Sequence, residues 1–394
     1  MPATQLRYLT DELNKLREQN LYQKLRVLET EQLPVSRFDG REVINLSSNN
    51  YLGLTTHPKL RAAALAAIEK WGVGSGAVRT IAGTMAIHME LEEKIAKFKQ
   101  VEASVVFQSG FTANAGTVQA LLSREDIIIS DQLNHASIID GCRLSRAEIK
   151  VFPHKDTEAC EKILKEIESR KCRKLLITDG VFSMDGDIAP LPRLVELAEK
   201  YGCIMMIDDA HASGVLGRNG RGTVDHFKLH GRVDIQVGTL SKAIGALGGY
   251  VCASRDAVDF LYQRARPFLF STSHPPSVAA TCLAAFGVLE DEPQLIDRLW
   301  ANTKFFKDGL KKLGFNTGLS ETPITPVMVG DAALAHAFSR ELFAAGVFAQ
   351  SLGFPTVPEG KARIRTIVTA THTPEELTRA LDILERVGKK LKII

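Results

Sequence analysis

No Cys-x-x-Cys pair occurs in this chain of 394 residues. Its six cysteines, Cys142, Cys160, Cys172, Cys203, Cys252 and Cys282, are scattered, which indicates neither a zinc ribbon nor a disulfide scaffold. No metal site is expected. Cys203 and Cys252 stand in apolar runs and read as core thiols, which suits a reducing compartment. No apolar run approaches the ~20 residues that cross a bilayer. The N-terminus lacks the continuous apolar stretch of a signal peptide, and Asp11, Glu12 and Glu18 speak against a transit peptide. A cytoplasmic protein without a membrane partner is expected. Charge of one sign is missing too. The formal net charge is +3, without the concentrated basic face that a nucleic-acid partner requires. Lys389, Lys390 and Lys392 read instead as the cationic last turn of a C-terminal helix. Internal repeats and low-complexity segments are absent.

What is present is a pattern of layers. The first thirty residues read as a helix, with Leu6, Leu13, Leu16, Leu21 and Leu25 roughly at helical spacing; its apolar stripe must pack on the body of the protein or on a second subunit. From about residue 56 to 270, short apolar runs alternate with helical segments. The runs are Val105 to Phe107, Ile127 to Ile129, Leu175 to Ile177, Ile204 to Ile207 and Val233 to Val237. Without polar alternation they suit strands buried on both faces of a mostly parallel sheet. Helices carrying Met89, Leu91, Ile95 and Phe98, or Leu191, Leu194, Leu197 and Ala198, would cover that sheet. The fold class expected is α/β, with a large mostly parallel sheet domain over residues 56–270 and a smaller α+β domain over residues 271–394. In the latter a long helical stretch runs to about Leu313, Pro326 to Val329 and Ile364 to Val368 read as strands, and Pro374 to Leu391 reads as a final helix. Residues 1–55 would join the small domain or a dimer partner.

Ligands of open parallel sheets bind beyond the carboxyl ends of the strands, and four polar features fall there. Lys242, in Thr239-Leu240-Ser241-Lys242, follows a buried strand. Desolvation at such a place lowers an amine's pKa and makes it the nucleophile that a Schiff-base lysine must be; a surface loop lysine is the plainer reading. Asp208, in Asp208-Asp209-Ala210-His211, could pair with a ring nitrogen and keep it protonated, although a solvated turn would look the same. Gln108-Ser109-Gly110-Phe111-Thr112-Ala113-Asn114 is a strand, a glycine turn and a helix start, whose free N–H groups can cradle a phosphate. His135, in Asp131 to Ser137, could stack on a flat ring. Gly72-x-Gly74-x-Gly76 is not a dinucleotide fingerprint, because Ala77 stands near where the third glycine should be; it reads as a loop at a substrate's edge.

These features belong to a longer ordered run. It comprises Ser48-Asn49-Asn50-Tyr51-Leu52-Gly53, Gly74 to Thr84, Ser109-Gly110-Phe111, Asn134-His135-Ala136-Ser137, Thr178 to Gly186, Asp208 to His211, Gly217 to Gly222, Thr239 to Lys242, Phe270-Ser271-Thr272-Ser273 and Arg363-Ile364-Arg365. Over nearly the whole chain this run resembles the α-oxoamine synthases, a branch of the fold-type I pyridoxal-phosphate enzymes. The resemblance implies a homodimer with shared active sites that condenses an amino acid, alanine or glycine, with an acyl-CoA, using pyridoxal 5'-phosphate. It implies Lys242 as the residue that carries the cofactor and moves protons. Asp208 would pair with the pyridine nitrogen and His135 would stack on the ring. His211 and Ser183 would lie near the ring 3-oxygen. Gly110 and Phe111 would give N–H groups to the phosphate, with Thr239 nearby and Ser271 and Thr272 reaching in from the partner subunit. Asn50 and Arg365 would bind the amino-acid carboxylate. Within the family, Asp131 to Arg143 and Thr239 to Gly245 resemble members that join alanine to a long acyl-CoA, whereas Val78 to Thr84 resembles those that join glycine to acetyl-CoA. An aminotransferase on the same fold is the rival reading of another class.

Overall fold

The apolar runs become strands of one seven-stranded sheet in the computed structural model, which describes residues 4–19, 22, 24–354 and 356–394. Two short strands come first, β1 (Val35–Phe38) and β2 (Arg41–Asn45). The large sheet follows: β3 (Ala103–Phe107), β4 (Ile127–Asp131), β5 (Glu148–Phe152), β6 (Lys174–Asp179), β7 (Ile204–Asp208), β8 (Ile235–Thr239) and β9 (Gly249–Ala253). Their order is β3-β9-β8-β7-β6-β4-β5. Only β9 runs against the others. The fold is the fold-type I α/β architecture that the motif order implied.

Apolar side chains alternate between the two faces of this sheet, so each face carries its own core. On one face Val106, Tyr250 and Cys252 pack with the helices Pro58–Trp71, Ala86–Lys99 and Pro276–Asp291. On the other, Val105, Phe107, Ile177 and Val237 pack with the helices Gly110–Leu121 and Arg255–Arg264. A smaller layer is built from β10 (Ile324–Gly330), β11 (Val347–Phe348), β12 (Gln350–Leu352) and β13 (Ala362–Ile367), covered by Ala332–Ala345 and Pro374–Lys390. Its sheet order is β10-β13-β12. The N-terminal segment joins it, because Val347 and Phe348 pair in parallel with Ile44 and Asn45.

The structure corrects several expectations. The N-terminal helix is only Tyr8–Glu18, after a single turn at Thr4–Leu6. Farther along the chain, Leu28 bridges to Phe38. Leu6, Leu13, Leu16 and Leu25 are all exposed within the single chain, and Leu21 lies outside the described residues. Met89 sits on the exposed side of its helix, while Leu91, Ile95 and Phe98 are buried. β8 starts at Ile235 rather than Val233; just before it, Asp234 meets Met205 of the neighbouring strand through its carboxylate, which accepts the Met205 N–H at 2.7 Å, and through its own N–H, which donates to Met205 O at 3.1 Å. The long helix after Pro275 is two helices, Pro276–Asp291 and Gln294–Lys312. Pro293 separates them, since it has no N–H to continue the first. β5 and β9 were not foreseen: Glu148-Ile149-Lys150 is polar because it forms an exposed edge, and β9 hides behind a glycine pair.

One buried ion pair ties a covering helix to the catalytic edge. Lys99 Nζ lies 2.8 Å from Asp209 Oδ2, and neither side chain has any exposure. The Lys99 ammonium also donates to the Arg221 carbonyl, and Asp209 accepts the Thr223 hydroxyl at 2.6 Å. Removing one member leaves the other charge buried and unpaired. Lys99→Met should therefore lower stability by about 3–5 kcal/mol, read as a shift in the urea midpoint with an unchanged slope.

Candidate active site

The carboxyl ends of β4, β6, β7 and β8 lie side by side and present Asp131, Asp179, Asp208 and Thr239. Asp179 and Asp208 are direct register partners on adjacent parallel strands. Both are buried. Asp208 Oδ2 accepts from Asn114 Nδ2 at 2.6 Å, and its Oδ1 accepts the Ala210 N–H at 2.8 Å. The same Asn114 amide donates to Ser137 Oγ at 3.0 Å, and Ser137 Oγ lies 2.8 Å from His135 Nδ1. Asp179 accepts the His135 backbone N–H at 2.7 Å. One connected set of hydrogen bonds thus holds Asp208 and His135 in fixed relation. Burial, and then the charge of Asp208, raise the Asp179 pKa well above the usual carboxylate range.

Lys242 faces these carboxylates from a loop that its neighbours pin down. Ala243 and Ile244 are buried in the core. Leu240 N–H donates to Gly248 O at 2.9 Å, and Gly245 N–H to Lys242 O at 2.9 Å. Gly245 has φ +77 and lies against Leu54 and Thr55, where a side chain would collide. Desolvation lowers the Lys242 pKa to about 8, against the opposing pull of Asp208 and Asp179. The position after a buried strand had predicted that direction. Burial, with the charges of Lys242 and Arg365, drives His211 well below its ordinary value and keeps it neutral. The buried Tyr51 hydroxyl lies 2.7 Å from His211 Nδ1. Burial raises the Tyr51 pKa, so the phenol keeps its proton. A single hydrogen bond joins the neutral phenol to the neutral imidazole. His135 keeps an exposed flank, while the packing of its inner face lowers its pKa.

The N-terminus of the helix Gly110–Leu121 closes the other side. Ser109 caps it by accepting the Thr112 N–H at 3.1 Å, and Ser109 N–H donates to Thr112 Oγ1. The N–H groups left over in the first turn are those of Gly110 and Phe111. A side chain at Gly249 would overlap the Ser109 carbonyl, so only glycine lets β9 run this close to the turn. Thr239 Oγ1 donates to Gly248 O at 2.9 Å. Thr272 lies beside this turn in the same chain, with its carbonyl accepting from Gln108 Nε2 at 2.9 Å, and Ser271 precedes it.

Strand pairing puts Arg363 and Arg365 on one face of β13, and their partners separate them. Arg363 is buried and ion-paired to Asp185, and it donates to Met184 O and Lys361 O at 3.1 Å each. Arg365 meets no carboxylate among the described residues: Nε donates to Ser183 O at 2.7 Å and Nη2 to Asn49 Oδ1 at 3.3 Å. A cleft of about 280 Å³ opens onto Arg365 and is lined also by Phe38, Ser47, Phe348 and Leu352. Asn50 is turned away, its amide holding Thr55 Oγ1 at 2.7 Å and Gln32 O at 3.3 Å. Asn49, rather than Asn50, meets the arginine. Tyr51, Asn114 and Asp179 stood within the quoted motifs with no role attached. Their signal was a buried polar group that must find a partner.

This donor set fits pyridoxal 5'-phosphate. A desolvated lysine, a buried carboxylate for the ring nitrogen, an imidazole beside the ring position and two free N–H groups for a phosphate converge on one edge. Among the described residues no cluster of metal-ligating side chains is present, and no helix is long and apolar enough to cross a membrane.

Residues 41–384 match the family model described as Aminotransferase class I and II. The chain is 60% identical to the 8-amino-7-oxononanoate synthase of Symbiobacterium thermophilum, over 98% of this chain and 99% of that protein. It is 56% identical to 8-amino-7-oxononanoate synthase 1 of Bacillus subtilis over 98% of both. Among solved structures it superposes on a serine palmitoyltransferase from S. paucimobilis with PLP bound, at TM-score 0.94 and 32% identity over 100% of both chains. It also superposes on the 8-amino-7-oxononanoate synthase of Francisella tularensis, at TM-score 0.74 and 28% identity over 89% of this chain and 99% of that one.

The lowered Lys242 pKa is open to direct measurement. In cofactor-free protein, labelling of Lys242 by an amine-acylating reagent should rise with a midpoint near pH 8, the value to which burial brings it. Peptide mapping across a pH series reads this. A midpoint near 10.5, the ordinary lysine value, would show an amine in free contact with water.

Proposed function

We propose, on the premise that this chain belongs to the class I and II aminotransferase family and within it to the α-oxoamine synthases, that it acts as an 8-amino-7-oxononanoate synthase of biotin biosynthesis. The observation that carries this reading is the full-length identity to synthases of that name, joined to a site that offers an arginine fork beside a desolvated lysine. The product's name defines the substrates. Its ketone carbon comes from a thioester carbonyl, and the next two carbons come from alanine after loss of its carboxyl group as carbon dioxide. The acyl donor is therefore a seven-carbon dicarboxylic chain held as a monothioester, and the thiol is the other product.

When bound, pyridoxal 5'-phosphate supplies a protonated ring that takes up the electron pair left at the amino acid's Cα. The residues of this chain do the rest. Arg365 grips the alanine carboxylate through the N–H groups that Ser183 and Asn49 leave free; Arg363 is already committed to Asp185 and to carbonyls. Lys242, with a pKa of about 8, accepts the Cα proton near neutral pH without a large driving-force penalty. Asp208 holds the ring nitrogen's proton. Asn114 fixes the carboxylate's rotation, and His135 covers the ring face. His211, held at Nδ1 by Tyr51, would turn its Nε2 toward the ring oxygen. Gly110 and Phe111 receive the phosphate. A homodimer is part of this reading, supported by the exposed leucines of the Tyr8–Glu18 helix and by Ser271 and Thr272, which the family places at the partner's phosphate site. A cytoplasmic location accords with a soluble small-molecule reaction.

Holoenzyme assayed with L-alanine, glycine and L-serine against a panel of acyl thioesters should turn over alanine with the seven-carbon dicarboxylic thioester fastest. One methyl group supports discrimination against glycine of roughly 10–200-fold. Preference for glycine with acetyl-CoA would instead mark the 2-amino-3-oxobutyrate CoA ligase activity suggested by Val78 to Thr84. Amino transfer to pyruvate without a thioester would mark an aminotransferase.

Arg365→Lys should raise the KM for alanine strongly and leave the KM for the thioester nearly unchanged, because an ammonium cannot reproduce two parallel hydrogen bonds. Arg363→Lys, measured beside it, should act mainly on stability through the lost Asp185 pair. An alanine defect confined to the Arg363 variant would reverse the assignment.

A further inference from the structure

The turn after β5 carries a cation that the chemistry above leaves unused. His154 Nδ1 lies 3.0 Å from Asp131 Oδ1, and its Nε2 lies 2.9 Å from Asp187 Oδ2. An imidazole can donate from both nitrogens only when protonated, so this geometry is that of an imidazolium between two carboxylates. Its ring packs edge-on against Phe182, with centroids 4.3 Å apart. The other charges around it are Lys155, whose Nζ lies 3.1 Å from Asp187 Oδ2 and 3.5 Å from Glu321 Oε2. Lys155 takes φ +61, and its N–H donates to Asp131 Oδ2 at 2.9 Å. The backbone thus turns sharply so that two successive residues address the same pair of acids.

Each acid belongs to a different part of the site. Asp131 ends β4, and its Oδ1 accepts the Leu133 N–H at 2.8 Å, shaping the turn that presents His135. Asp187 closes a narrow loop: Phe182 N–H donates to Asp187 O at 3.0 Å, and Gly186 N–H to Phe182 O at 2.8 Å. At the tip of that loop is Ser183, whose carbonyl fixes Arg365 Nε. One ring therefore spans the turn that carries His135 and the loop that aims the arginine.

We propose that His154 is a positioning residue that, as an imidazolium bridging Asp131 and Asp187, locks the Phe182–Asp187 loop so that Arg365 is held ready for the amino-acid carboxylate. The proposal rests on the reading that Arg365 grips that carboxylate. Its pH dependence has a definite sign. Burial lowers the His154 pKa, but the hydrogen bonds of Asp131 and Asp187 more than offset this and lift it to about 9, above the ordinary 6.5. The clamp is complete below pH 6.5 and is lost as pH rises through about 9.

The test compares L-alanine binding to wild-type and His154→Gln holoenzyme by calorimetry between pH 7 and pH 10. The ratio of the two dissociation constants cancels the titration of alanine's own amine and of Lys242. At pH 7 the variant should bind roughly 3–30-fold more weakly, and the ratio should fall toward one as pH passes about 9. Asp187→Asn should move the fall to lower pH, because one of the two charges raising the imidazole pKa is gone. In parallel, the His154 ring resonance in wild-type protein should titrate near pH 9. Equal affinities at pH 7, a ratio constant across the range, or a His154 midpoint near 6.5 would overturn the proposal. If wild-type protein binds no alanine, the substrate reading fails, and the His154 midpoint still decides whether the clamp exists.

Discussion

Two carboxylates at one register position, Asp179 and Asp208 on adjacent parallel strands, set the electrostatic problem that the rest of the site answers. Both are buried at the same sheet edge, so neither can be left to water. Desolvation pushes the proton off Lys242 while Asp208 and Asp179 pull the other way, and the balance lowers its pKa to about 8. Asn114 and the His135 backbone N–H supply the hydrogen bonds that make the arrangement tolerable.

The same edge shows how charges proposed for catalysis and structural charges are kept apart. Asp208 and Asp209 are neighbours in sequence, yet they point into different surroundings. Asp209 is neutralised by buried Lys99 and the Thr223 hydroxyl, which makes it part of the packing. Asp208 meets neutral donors, so its charge remains available to a ring nitrogen. The two arginines of β13 divide in the same way. Arg363 is saturated by Asp185 and carbonyls, and Arg365 is oriented but not neutralised. In both pairs the residue that keeps its charge is the one proposed to meet a ligand.

The residues proposed to hold the cofactor were readable because the chemistry asked of them leaves marks in sequence: a lysine after a buried strand, a glycine turn before a helix, an aspartate at a strand end. Tyr51, Asn114, Asp179 and His154 left weaker marks. Each acts through another residue 33 or more positions away, as in Asn114 to Asp208, Tyr51 to His211 or His154 to Asp187. Spacing along a chain does not encode such pairings. The N-terminal helix failed differently. Its leucines follow helical spacing beyond Glu18, where the helix ends, and Leu28 pairs instead with Phe38, a tertiary contact that no local pattern announces.

By itself the sequence determined the α/β architecture, the order of motifs and the family. Buried strands require unbroken apolar runs, and a phosphate cradle requires glycine, so these constraints are local and survive in one dimension. Alternation along a strand puts Arg363 and Arg365 on one face, so the pattern alone did not separate them and only the family resemblance pointed to Arg365 as the residue for the carboxylate. The tertiary structure adds a physical difference between them, because Asp185, from a loop some 180 positions away, pairs with Arg363 and not with Arg365. The reversed strand β9 was likewise decided by packing. In each case the deciding partner is distant in the chain, and the energy that selects it is the cost of leaving a buried polar group alone.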